Sequence, residues 1–291
     1  MSTAEQLWMP PVTFKKILFA TDLCPSSTLA FPFAESIAKH YGAKVFIAHV
    51  IPASEAITPN SIYAETKKVL ATLPTLGSLR HELLLEHGSV SNKLLEEIEK
   101  FAIDLIVLGT QGWHGFSTLV KGSTAKAIST LASPPVLTVG PQVSRSSEFK
   151  RILYATDFSP EAAHAMPYVL SLSYAFNAYL FFLHVNEWSS TEPPIEAEPR
   201  TVEFVRKQLH DAGISMSMEG RYEILVDFGR QADVILEAAT SHNVDLIIMG
   251  THAHPSLMPQ IAAHLPSSVS YEVASTSRCP VLTVPFEAKK T

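Results

Sequence analysis

The sequence predicts an α/β protein of two tandem domains, each an open, twisted parallel sheet of five strands. Two observations carry this expectation. First, short apolar runs alternate with segments of helical spacing, which implies parallel strands joined by crossover helices on both faces. Second, the same order is written twice. KILFATD at 16–22 returns as RILYATD at 151–157, and VFIAHV at 45–50 as LFFLHV at 180–185. DLIVLG at 104–109 returns as DLIIMG at 245–250, and PVLTV at 135–139 as PVLTV at 280–284. A repeat of this length means duplicated domains rather than a solenoid. The boundaries fall at 1–142 and 148–291, with a polar linker near GPQVSRSSEF at 140–149.

In the first copy a strand is expected over about 15–21 and a helix over about 26–41, stopped by Gly42. A strand at 44–50 follows, then a loop and a helix over about 62–76. The third strand is expected at 81–86, and the turn Gly88-Ser89 leads into a helix ending at Ala102. The fourth strand, 104–108, precedes a glycine loop, a helix and the last strand at 135–139. The second copy repeats this with strands at 151–156, 179–185, 221–227, 244–249 and 280–284. Its helices are expected at 160–176, 200–213, 231–242 and about 267–277. Crossovers in such sheets are right-handed.

Composition narrows the function. With 46% hydrophobic and 17% charged residues the chain reads as globular, and 291 residues accommodate two domains. A net charge of -6 without a basic block argues against nucleic acid or an anionic membrane surface as the main partner. Only Cys24 and Cys279 are present, so neither a disulfide framework nor a cysteine zinc motif is expected. The start, MSTAEQLWMPPVTFKK, lacks the pattern of a secretory signal, and no apolar run approaches membrane-spanning length. A cytoplasmic location is the expectation.

The stretch GTQGWHGFSTLVKGST at 109–124 holds the candidate site. It follows the apolar run Leu105 to Leu108, and its glycines stand at 109, 112 and 122 before Ser123 and Thr124. Glycines let the backbone approach a ligand, and the amides of a helix start favour an anion. The alternative is that Gly109 and Gly112 make a tight turn and Ser123 only caps the helix. Asp22, ending the first strand, suits either a turn and cap or a ligand: a carboxylate there reaches a ribose hydroxyl or a metal on a triphosphate. Thr110 and Gln111 offer side-chain hydrogen bonds, Lys121 a positive charge, and Trp113 and His114 bulk at the loop tip. A lysine-bearing G-x4-G-K-[ST] phosphate loop and a G-x-S-x-G nucleophile elbow are both missing, and no base or arginine stands out. The pattern reads as a binding site with little or no catalytic turnover.

The spacing G-x2-G-x9-G-[ST], matched by Gly109, Gly112, Gly122 and Ser123, resembles the ATP-binding class of universal stress proteins, and the likeness spans nearly the whole chain. It implies an adenine nucleotide alpha hydrolase-like fold with strand order 3-2-1-4-5, the first and fourth strands forming the switch point where ligands bind. It further implies ATP, with magnesium on its phosphates, held by Ala20, Thr21, Asp22, Val50, Ile51, Gly109, Thr110, Gly112, Gly122, Ser123 and Thr124. Val50, Ile51 and Pro52 would line the adenine pocket, although Val50 alone reads as strand core. Single-domain members pair through their fifth strands, so the two PVLTV segments are the expected inter-domain contact. Both are apolar edge candidates that need covering. Two chains could associate further as a homodimer.

The second copy keeps Asp157 and a glycine, Gly250, at the end of its fourth strand, then reads THAHPSLMPQIAAHLPSSVSYEV. Ala253 replaces the second glycine, and Ser267 and Ser268 stand where Gly122 and Ser123 stand. Pro255, Pro259 and Pro266 remove amide donors. A backbone phosphate cradle is poorly served here, although the helix start could still hold an anion. His252, His254 and His264, with Asp157 and His184 nearby, suit zinc or are ordinary loop histidines. Three functions follow: an ATP-binding stress regulator or sensor, a non-nucleotide scaffold, and a slow ATP-hydrolysing or nucleotide-transferring enzyme, for which only Lys121 offers itself.

Overall fold

The computed structural model describes residues 12–286 apart from 55–57, 74, 111–122, 144–146, 187–198, 200, 208–219, 255–256 and 263–267. The first half runs β1 (Lys16–Ala20), α1 (Pro25–Thr28), α2 (Phe31–Tyr41), β2 (Lys44–Pro52), α3 (Pro59–Thr72), β3 (His81–Gly88) and α4 (Val90–Phe101). It closes with β4 (Leu105–Gly109), α5 (Ser123–Leu131) and β5 (Val136–Val139). The second half has β6 (Arg151–Ala155), α6 (Pro160–Phe176), β7 (Tyr179–Asn186), the helical residues 201–207 (α7) and β8 (Tyr222–Phe228). It ends with α8 (Gln231–Ser241), β9 (Leu246–His252), α9 (Pro259–Ala262), α10 (Val269–Thr276) and β10 (Val281–Phe286).

Each half has the order 3-2-1-4-5, and the halves join into one ten-stranded sheet, β3-β2-β1-β4-β5-β10-β9-β6-β7-β8. The central strands are apolar throughout because both faces are covered: β1 and β6 bury every residue but the first. The outermost strands carry charge instead, Glu82 and Glu86 on β3 and Glu223 and Asp227 on β8, which blunts the sheet edges. Asp104 and Asp245, just before the fourth strand of each half, clasp the backbone amides that open β1 and β6. Burial pushes the Asp104 carboxyl up, against the opposing pull of the Lys15 and Lys16 amides.

The seam is the one antiparallel pair among the described residues, β5 with β10, in the register Val281↔Thr138, Leu282↔Leu137 and Thr283↔Val136. The two PVLTV segments therefore meet as the sequence suggested. Their buried threonines hold the pairing further: Thr138 Oγ1 donates to the Val281 carbonyl (3.1 Å) and Thr283 Oγ1 to the Val136 carbonyl (3.3 Å).

On one face of the sheet a single core spans both halves. Phe33 stacks on Phe149 (6.0 Å between centroids), and Phe149 meets Phe176 edge-on (4.9 Å). The connection between the halves is thus less polar than its composition suggests: Val143 and Phe149 are both buried. On the other face Ala127 and Leu131 of α5 pack against Ala262 of α9.

One helix differs from its expected form. The stretch 26–41 is two helices, whereas its counterpart α6 is continuous, although Pro32 and Pro167 stand at equivalent positions. Ser27 marks a local difference: its hydroxyl bonds back to the Cys24 carbonyl (3.1 Å) and lies 2.9 Å from Thr21 Oγ1, tying α1 to the turn after β1. The counterpart of Ser27 is Ala162, which has no hydroxyl.

Tyr154 anchors the start of α6 from below, its hydroxyl donating to the Ala162 carbonyl at 2.6 Å. Burial pushes the Tyr154 and Tyr41 hydroxyls up from 10.0 to about 12. An unfolded tyrosine ionises near its ordinary value, so the stability these two hold is whole below that value and is lost as pH rises towards about 12. Ultraviolet titration of tyrosinate is expected to leave both protonated after the exposed tyrosines have ionised. They should release together with unfolding. Ionisation of Tyr154 at the ordinary value in the folded protein would contradict its placement.

Candidate functional site

Each half presents a crevice at the carboxyl ends of its first and fourth strands, where helices leave in different directions. In the first half β1 lies between β2 and β4, pairing Ala20 with Ala48 on one side and with Leu108 on the other. The predicted residues Ala20, Thr21 and Asp22 leave β1 here, Gly109 and Thr110 leave β4, and Val50 and Ile51 lie near the end of β2, both buried. Ser123 and Thr124 form the first turn of α5. Gly112 and Gly122 lie outside the described residues, as do Gln111, Trp113, His114 and Lys121.

Asp22 does carry the local job the sequence left open. Its Oδ1 accepts from the Cys24 amide (3.1 Å), while Thr21 Oγ1 accepts from the Leu23 amide (3.0 Å). These two side-chain turns hold Leu23 in the left-handed region, at φ 64°. The carboxyl group is nevertheless exposed at the strand end. Thr110 is buried, and among the described residues its hydroxyl has no hydrogen-bond partner. It points towards the seam: a Cβ built on Gly140 would lie 3.9 Å from Thr110 Oγ1 and 3.3 Å from the Ser277 carbonyl.

Sequence reasoning missed His49. It is buried, with Nδ1 2.9 Å from the Thr21 carbonyl. A carbonyl only accepts, so Nδ1 carries the proton and Nε2 faces Glu65 Oε2 at 3.6 Å. His49 thereby fixes the turn that presents Asp22. The second half repeats the device, His184 Nδ1 lying 2.8 Å from the Thr156 carbonyl. The retained histidine of VFIAHV and LFFLHV was the signal that could have found it.

The second crevice opens into a cavity of about 560 Å³. Thr156 and Asp157 stand at its β6 side, Asp157 Oδ1 accepting from the Ser159 amide (2.9 Å). Gly250 is not at a strand end. β9 continues through Thr251 to His252, paired with Pro285 and Phe286 of β10. The glycine is there because α6 crosses directly over it: a Cβ at Gly250 would lie 2.2 Å from the Glu161 carbonyl oxygen.

The rest of the second loop clasps the other half. The His254 amide donates to the Thr130 carbonyl of α5 (2.8 Å), and Leu257 and Ala262 pack near Ala127 and Leu131. Among the described residues no group of three His, Cys, Asp or Glu side chains stands close enough to hold a metal ion. His252 instead pairs with Glu161 (3.1 Å), His184 is turned to the Thr156 carbonyl, and His264 lies outside the described residues.

Comparison with known proteins agrees with this architecture. The model of the universal stress protein family matches residues 13–140 and again 148–285. Universal stress protein A homolog 1 of Coxiella burnetii is 34% identical over 142 residues, 43% of this chain and 96% of that protein. Universal stress protein A of Escherichia coli K12 is 33% identical over 110 residues, 34% of this chain and 76% of that protein. The crystal structure of a universal stress protein from Archaeoglobus fulgidus superposes with a TM-score of 0.68 at 22% identity, covering 93% of this chain and 98% of that one. Among the described residues no helix is long and apolar enough to cross a membrane. Two matched copies of one family, fused through their fifth strands, make this chain a tandem member of the universal stress protein family.

Proposed function

We infer that the first half binds ATP and that the protein acts as a nucleotide-responsive stress regulator or sensor with little or no turnover. The observation that carries this reading is the G-x2-G-x9-G-[ST] spacing of the sequence, whose described ends lie at a switch point. Gly109 leaves β4, Ser123 opens α5, and the Asp22 turn stands beside them at the end of β1. The residues present suit the ligand. Val50, clustered with Ala20 and Ala48, offers apolar surface for a base, the backbone of Ile51 lies beside it, and the exposed Asp22 carboxylate suits a ribose hydroxyl or a magnesium ion on the phosphates. The first turn of α5 would present its backbone amides to a phosphate. ATP brings a polyphosphate whose presence or loss is a signal; the chain contributes binding and orientation.

The test is the nucleotide content of the purified protein, denatured and chromatographed, alongside Gly122→Val. Wild type is expected to release a single equivalent of ATP per chain. The valine side chain of the variant is expected to deny the phosphate its approach, and affinity should fall at least about tenfold, roughly 1.4 kcal/mol. Empty wild-type protein that also ignores added ATP would leave a scaffold role, which the clasp between the second loop and α5 would then explain.

A further inference from the structure

We propose that His49 and Glu65 form a proton-operated latch in the first half, which closes when the imidazole takes up a proton and then ties α3 to the turn carrying Thr21 and Asp22. His49 lies near the end of β2, and polar groups face both nitrogens of its ring. On one side Nδ1 stands 2.9 Å from the Thr21 carbonyl. On the other, Nε2 stands 3.6 Å from Glu65 Oε2 of α3. A carbonyl only accepts, so the proton of the neutral ring is on Nδ1. Nε2 then turns a lone pair towards a carboxylate oxygen, and two acceptors have nothing to share. Their separation of 3.6 Å is too long for a hydrogen bond. A proton on Nε2 reverses the relation: the pair becomes an imidazolium and a carboxylate, able to join in a charge-assisted hydrogen bond.

Glu65 is placed for this. Lys68 Nζ takes its other oxygen, Oε1, at 2.5 Å, which leaves Oε2 to face the ring. The side chains of His49 and Glu65 are only 10% and 19% exposed, so the pair is sheltered from the solvent that weakens surface ion pairs. Other titratable groups stand on the elements around His49. Glu35 of α2 is bound to Lys39 and Thr75, and His40 lies against the Phe176 ring. Asp22 accepts from the Cys24 amide, Lys67 is exposed on α3, and His87 is exposed on β3, beside Ile51 in the register.

The second half keeps the histidine and replaces the latch. His184 Nδ1 stands 2.8 Å from the Thr156 carbonyl, as His49 does from that of Thr21. Val69 and Val205, both fully buried, align α3 with α7. That alignment sets Thr201 in the place of Glu65 and Phe204 in the place of Lys68. Thr201 accepts from Asn186 (3.2 Å), and Phe204 meets Phe158 edge-on, whose ring lies 5.2 Å from that of His184. An aromatic stack stands where the first half has an acid and a lysine. The histidine therefore serves the turn in both halves, whereas Glu65 adds a proton response confined to the half with the glycine motif.

What the latch does for a ligand rests on the ATP reading of that half. Proton uptake brings a positive charge beside the strand end and strengthens the bond to the Thr21 carbonyl, since an imidazolium is the better donor. The charge attracts a polyphosphate, and the firmer turn leaves less to be ordered on binding. ATP binding is expected to tighten as pH falls through the range in which histidine titrates.

Nuclear magnetic resonance of the histidine rings in the full chain tests the latch without any ligand, on wild type and Glu65→Gln. The His49 and His184 signals are assigned through their own backbones. Glutamine keeps the shape of Glu65 but offers no charge to an imidazolium. The titration midpoint of His49 should therefore fall by about half a pH unit in the variant, while that of His184 stays. At high pH the nitrogen shifts of the His49 ring should be those of the Nδ1–H form. Equal His49 midpoints in the two proteins, or a ring protonated on Nε2 at high pH, would overturn the latch whatever the protein does with ATP. Calorimetric titration with ATP reads the consequence as the ratio of wild-type to Glu65→Gln affinity, which cancels the titration of ATP itself. That ratio should rise about threefold from about pH 8 to about pH 6. A ratio that does not change with pH would disconnect the latch from the site and overturn its role in binding. No ATP binding by either protein, with the His49 midpoint still dependent on Glu65, would overturn the ATP reading and leave the latch standing.

Discussion

Replacing Gly250 with alanine is expected to lower stability by about 3 kcal/mol, at the upper end of the cost of overpacking a core. The position has no positive φ to protect; what it lacks is room. The added methyl would stand 2.2 Å from the Glu161 carbonyl oxygen, 2.4 Å from its carbon and 2.6 Å from the Ala162 amide nitrogen. All three are backbone atoms, so no side chain can swing aside, and the first turn of α6 has to lift from the sheet. That turn is tied at the same place by the Tyr154 hydroxyl, which would be stretched or broken. A loss of this size lowers the melting temperature by roughly 6–12 °C in a protein of this length. Gly42→Ala is the contrasting control. Gly42 caps α2 at φ +64° with nothing near its missing Cβ, so only the conformational cost of about 1 kcal/mol is expected. Denaturant unfolding that finds Gly250→Ala within about 1 kcal/mol of wild type would show that α6 does not sit where it is described.

A carboxylate at the seam should be costlier still. Leu137 is 1% exposed, faces Leu282 across the antiparallel pair, and belongs to the core that both halves share. Leu137→Asp removes that apolar contact and buries an unpaired acid, and a loss on the order of 4 kcal/mol or more is expected. Because the damage lies between the halves, unfolding in denaturant should separate into two transitions. The first half produced alone should not be a monomer, since β5 would be left as an open apolar edge beside the exposed faces of Phe14 and Phe33. Light scattering that finds a monomeric, cooperatively folding half would show the seam to be dispensable.

The fold was legible because its signals are local and doubled. The apolar runs of β1, β4, β6 and β9 have their length from burial on both faces, and each is repeated at a matching place in the other copy. Legibility failed where a side chain acts on backbone it is not adjacent to in pattern. The stretch 26–41 is split into two helices, with Ser27 tied to the turn after β1, and nothing in its periodicity shows it. Val143 and Phe149 read as parts of a polar linker because their burial depends on the face formed by both halves together. At the site, the strand ends and glycine spacing were visible in the sequence. The positioning role of His49 was not, since its partner is a carbonyl twenty-eight residues away in the turn beyond β1.

By itself the sequence determined the class of fold, the duplication, the family and the half that carries the glycine motif, because all four rest on residue types at fixed spacing. Tertiary structure alone decided what the altered second loop does. The prolines and missing glycine showed only what the loop had lost. That it runs on as strand, gives its His254 amide to Thr130 and lays Ala262 against α5 depends on where the first half lies, which no spacing within the second copy encodes. For the same reason the cavity of the second half was invisible in the chain: one wall is α5 of the first half, brought to β6, β9 and α10 only when β5 and β10 pair.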